Sequence, residues 1–128
     1  MPYDAPDSGL NRPTISFAEL DASHGAAPWR APLVASPSVR IVLLCMTAGT
    51  QTVPHYHPRA VEAFQVIRGV VGLTIGDAPE LITEPGSVVL APRGVVHGIR
   101  VPGPDSALLM CTVAPNEDAP DEQVEIAR

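Results

Sequence analysis

Apolar residues in this chain come in short runs, and glycine or proline closes most of them. Val39–Thr47 is the clearest early run, nine residues rich in Val, Ile and Leu without Gly or Pro, and it reads as a strand. Glu62–Arg68 and Val70–Ile75 read as paired strands around Gly69, and Gly76-Asp77 marks a turn. Leu81–Thr83, Ser87–Ala91, the alternating His97, Ile99 and Val101, and Ala107–Val113 supply further strands. Turns at Glu84-Pro-Gly86, Pro92-Arg-Gly94 and Pro102-Gly-Pro104 separate them. Ala31–Ala35 is a shorter strand, and Thr14–Leu20 reads as an edge strand or a single helical turn. About eight or nine short strands with tight turns predict an all-β sandwich or barrel.

At 128 residues the chain suits one domain with one core. Its pattern divides into an N-terminal extension with edge strands (1–35), a barrel (36–113) and an acidic C-terminal tail (114–128) expected to be mobile. Fifteen prolines scattered along the chain leave little room for long helices. The net charge is −6 and there is no lysine, which excludes Schiff-base and phosphate-loop lysines. Without basic clusters there is no electrostatic case for nucleic acid. No stretch is apolar enough to span a bilayer, and the first residues lack the basic start and apolar run of a secretory signal, so the expectation is a cytoplasmic protein. Arginine as the sole strong base, with abundant Ala, Pro and Gly, suggests a GC-rich bacterial source. Cys45 and Cys111 lie in apolar runs and read as buried, reduced thiols outside any site.

The candidate chemistry lies with the histidines. Three of the four, His55, His57 and His97, fall in two segments shaped like halves of one metal site. Residues two apart on a strand face the same way, so His55 and His57 can address one point, with Glu62 following after a short gap. His97 must arrive from a distant strand. Three imidazoles and a carboxylate suit a borderline divalent ion such as Mn, Fe, Co, Ni, Cu or Zn. His24 stands apart in an Ala/Gly/Ser-rich stretch and reads as exposed.

These segments resemble the two motifs of the cupin superfamily. Gly49, His55, His57, Glu62 and Gly69 meet every position of the first motif, and Gly86, Pro92, Gly94 and His97 match the second, whose final Asn is replaced by Val101. The resemblance implies a single-domain, jelly-roll β-barrel that binds a metal through His55, His57, Glu62 and His97. The apolar strands Val39–Thr47 and Ala107–Val113 suggest more buried surface than a small barrel supplies alone, so a homodimer through outer sheet faces is expected, as the resemblance also suggests.

Strand alternation from these ligands predicts the pocket. Gln51 and Val53 join His55 and His57 on the inner face if that strand is regular; Phe64 and Val66 follow from Glu62, and Ile99 and Val101 from His97. Arg93, in the Pro-x-Gly corner, is a candidate for a substrate carboxylate at the mouth. Four protein ligands leave two octahedral positions open, the mark of a catalytic metal. The leading expectation is a dioxygenase-like oxidoreductase acting on a small chelating organic substrate. The alternatives are a non-redox isomerase, lyase or polyketide-type cyclase, and a non-catalytic small-molecule binding protein.

Overall fold

A computed structural model describes residues 14–116 and 124–125. Over these residues the chain forms one helix, α1 (Phe17–His24), and ten strands. These are β1 (Trp29–Ser36), β2 (Val39–Met46), β3 (His55–Tyr56), β4 (Val61–Arg68), β5 (Val71–Ile75), β6 (Leu81–Thr83), β7 (Val88–Ala91), β8 (His97–Arg100), β9 (Ala107–Ala114) and β10 (Val124–Glu125). They form two five-stranded sheets, ordered β1-β2-β9-β4-β7 and β10-β3-β8-β5-β6, with antiparallel neighbours throughout. This is the all-β sandwich that the strand rhythm predicts, in the jelly-roll form that the resemblance implies. No helix among the described residues is long and apolar enough to cross a membrane.

Between the sheets lies the main core, where Phe64, Val66, Val71, Leu73, Val101 and Leu109 pack together almost free of solvent. The alternate side chains of the first sheet face outward and form a second cluster of Leu33, Leu43, Cys45 and Leu108, under Phe17 and Leu20 of α1. The outer faces of Val39–Thr47 and Ala107–Val113 are therefore covered by the chain's own N-terminal segment. Their apolar content does not require a partner, which removes one argument for dimerisation through those faces.

Thr14–Leu20 resolves as the approach to a helix, and the cause is local. Ser16 caps it by accepting a hydrogen bond from the Glu19 amide at 3.2 Å, and Gly25 ends it at φ 76°. Asp21 then fixes the helix to the barrel, accepting from Arg68 Nε at 2.8 Å and from Nη2 at 3.1 Å.

Two strand expectations need correction. Glu62–Arg68 and Val70–Ile75 do not pair with each other: β4 bonds to β7 and β9, while β5 bonds to β6 and β8. Gly69, at φ 86°, carries the chain from one sheet to the other. The acidic tail also contributes backbone to the fold, since Val124 and Glu125 pair with Tyr56 and His55. Otherwise the tail expectation, like that for residues 1–13, lies outside the described residues.

Candidate metal centre

Sheet pairing places the ligands. β3 and β8 are neighbours with His55 directly opposite His97, so both rings project from one sheet toward the interior. His57 lies just past the end of β3, where its carbonyl accepts from the Gly94 amide at 2.9 Å. That bond ties the Pro92-Arg-Gly94 corner to the His-x-His segment. Glu62 comes from β4 in the facing sheet and closes the site from the other side.

Together the four residues offer ligand atoms that all lie within 4.8 Å of one another. Glu62 Oε1 is 2.9 Å from His57 Nε2 and 3.0 Å from His97 Nε2. His57, Glu62 and His97 are buried, and His55 is partly so. Burial pushes the Glu62 carboxyl up, but its close contacts with His57 and His97 outweigh that and hold the group down to about 2. It is thus a carboxylate at neutral pH. His55 is shifted down, chiefly by burial, and is neutral there. Its Nδ1 donates to the Val53 carbonyl at 3.1 Å, which leaves the Nε2 lone pair available.

The donor set fits a divalent transition ion. Neutral imidazoles and an ionised carboxylate are the forms that bind metal. In addition, His97 Nε2 is buried with no hydrogen-bond partner of good geometry, although it points at the shared centre. A buried polar atom of that kind costs stability unless something satisfies it, and a cation among these donors does so.

A cavity of about 190 Å³ adjoins the cluster. Phe64 and Ile99 line it as alternation predicts, and the Phe64 ring meets His97 edge-to-face at 5.3 Å. Val66 and Val101 point inward too, but they lie in the packed core and not on the cavity wall. Gln51 and Val53 are exposed, contrary to expectation. Gln51 bridges Arg100 while His55 faces His97, so four steps on one strand are matched by three on the other. This extra residue, at Val53-Pro54 where Pro54 has no amide hydrogen to donate, reverses the alternation. Thr52 takes the inner position, and its Oγ1 accepts from the Ile99 amide at 2.9 Å. Arg93 is exposed on its corner and does not line the cavity. His24 ends α1, stacked on Trp29, away from the centre.

Sequence reasoning missed the far wall, which consists of Arg30, Arg40, Val42, Leu44 and Cys111. Both cysteines are free and buried, but only Cys111 faces the cavity; Cys45 packs in the outer cluster. Burial, reinforced by the Glu62 charge, pushes the Cys111 thiol far up, so it is a neutral wall group and not a thiolate ligand. The inner face of these strands carries no ligand from which alternation can be counted.

Two facing antiparallel sheets with a three-histidine, one-glutamate cluster between them define a jelly roll whose donor cluster is compatible with metal binding. Residues 42–113 match the family model for the Cupin domain, Cupin_2, and the chain belongs to that family. Among curated proteins, Germin-like protein 9-1 of Oryza sativa subsp. japonica is 26% identical, with 76% of this chain and 46% of that protein covered. The chain therefore spans under half the length of that relative. Solved structures of the same fold include TT1209 from Thermus thermophilus (TM-score 0.70, 24% identity, 80% of this chain and 98% of that one). Another is the DMSP lyase DddQ from Ruegeria pomeroyi (TM-score 0.65, 21% identity, 76% and 50%).

Proposed function

We propose that this chain is a metal-dependent enzyme of dioxygenase-like type, acting on a small organic molecule that chelates a divalent transition metal held by His55, His57, Glu62 and His97. The observation that carries the reading is the convergence of those four donors, three of them buried, beside a small cavity. When bound, the metal supplies Lewis acidity or, for Fe, Mn, Ni or Cu, a redox couple. The protein's own residues prepare the place. Glu62 stays ionised and brings negative charge to balance a cation, and His55 is held in one tautomer by the Val53 carbonyl. Phe64, Val42, Leu44 and Ile99 exclude water around it.

The same ligands serve a non-redox isomerase, lyase or cyclase. The cavity wall favours the first reading: every imidazole and carboxylate that lines it belongs to the proposed ligand set, and the other polar groups, Thr52, the protonated Cys111 thiol, Arg30 and Arg40, bind and orient but add no base for proton abstraction. The test is oxygen uptake by Fe-, Mn-, Ni- or Cu-loaded protein with a panel of small chelating substrates. Substrate-dependent oxygen consumption is expected. Turnover that proceeds equally under strict anaerobiosis contradicts it in favour of the non-redox enzyme, and ligand binding without turnover makes the chain a binding protein.

A homodimer belongs to the same proposal, at a different surface from the covered outer faces. Val61, Val88 and Leu90 stand exposed together on the outer face of β4 and the edge strand β7, and such an apolar patch supports self-association.

A further inference from the structure

We propose that the cavity takes a small organic acid, its carboxylate held by Arg30 and Arg40. The inference rests on the reading of the site as a ligand-binding metal centre and names the class of ligand it receives.

The register of the first sheet brings the two arginines to the cavity. On β2, Arg40, Val42, Leu44 and Met46 alternate with Ile41, Leu43 and Cys45. The second set packs in the outer cluster, so the first faces inward. Arg40 lies opposite Val113 on β9, and Val113 lies opposite Glu62 on β4. Arg40 and Glu62 thus share one cross-sheet row, separated by a single strand, a span of about 10 Å between backbones. A long guanidinium arm on one side and a metal ligand on the other leave room for a small molecule between them. Arg30 pairs with Leu44, which faces the cavity, so Arg30 lies on the same face, where it lines the cavity while staying exposed to solvent.

Placement of this kind is selective in chemistry. The protein carries a net −6 charge and only eight arginines, with no lysine. Two of those arginines line the cavity beside the candidate ligand cluster. A guanidinium presents its donors in a planar fork that matches a carboxylate in two parallel hydrogen bonds. The remaining wall of Val42, Leu44, Phe64 and Ile99 lowers the local dielectric, which strengthens that attraction. At about 190 Å³ the space is below that of drug-sized ligand pockets, so the acid is small.

The test is calorimetric titration of the full chain with acetate, pyruvate, malonate and 2-hydroxybenzoate, each beside its uncharged amide. Metal-free and zinc-loaded protein are both titrated, with Arg30→Gln and Arg40→Gln as variants. At least one acid is expected to bind about tenfold or more tighter than its amide, and each substitution to remove about tenfold of that affinity, equal to about 1.4 kcal/mol. Melting curves show that the variants are folded, and zinc stoichiometry shows that the four ligands are untouched. Acids and amides binding alike, no acid binding at millimolar concentration, or acid affinity unchanged in both folded variants overturns the proposal. Acid binding that needs the arginines in protein unable to hold zinc keeps this inference and defeats the metal reading instead.

Discussion

Glu62→Gln separates the electrostatics of the ligand cluster from its shape. The carboxylate is 6% exposed, shares a hydrogen bond with His57 Nε2 at 2.9 Å and lies 3.0 Å from His97 Nε2. Its pKa is held down from 4.5 to about 2, against burial that acts in the opposite direction. At about 1.4 kcal/mol per tenfold, that displacement corresponds to about 3 kcal/mol of native-state stability in metal-free protein. The sign follows from the depression: the contribution is present in full above 4.5 and is lost as pH falls toward 2. Glutamine keeps the volume and one acceptor but has no charge. Urea unfolding in chelator should find the variant about 2–3 kcal/mol less stable than the parent at neutral pH. The gap should close through the acid range as the parent's own carboxylate protonates. A variant as stable as the parent at neutral pH, or a gap that does not change with acid, refutes the argument.

Gly69→Ala should cost about 1–3 kcal/mol in the same assay, because φ is 86° and a Cβ there would lie 2.7 Å from the Ser106 carbonyl oxygen. Cys111 should resist iodoacetamide at about pH 8 in the native protein and react only on unfolding, since burial first and the Glu62 charge second keep the thiol protonated; rapid native labelling, mapped by mass spectrometry, contradicts this. The parent is expected to sediment as the proposed dimer, and Leu90→Asp, which places a charge on the exposed patch of β7, to sediment as a monomer; a monomeric parent refutes the dimer, and a variant that stays dimeric sends the interface elsewhere.

The first sheet and the ligands were largely legible in the sequence, for a physical reason. Ile41–Met46 and Ala107–Cys111 are continuous apolar runs because both faces of these strands are buried, one in the barrel and one under α1. The candidate ligand cluster was legible because a metal site of this kind draws its donors from His and Glu and their spacing is tied to strand geometry. Alternation worked from Glu62 to Phe64 along a regular strand. It failed from His55 back to Gln51, where one extra residue reverses the faces and no sequence signal but Pro54 marks it. Arg30, Arg40 and Cys111 lie on strands joined to the site only through sheet order. That order is set by long-range pairing, which local pattern does not encode. The separation of β4 from β5 was missed for the same reason: Gly69 is equally suited to a hairpin and to a crossing between sheets.

Metal content tests the central claim most directly. It is measured by mass spectrometry on protein purified without a metal-binding tag, beside a His57→Ala, Glu62→Ala double variant whose folding is checked by its melting curve. The account predicts near-stoichiometric transition metal in the parent and its loss in the folded double variant. Equal metal in both, or none in the parent even after loading, would contradict it.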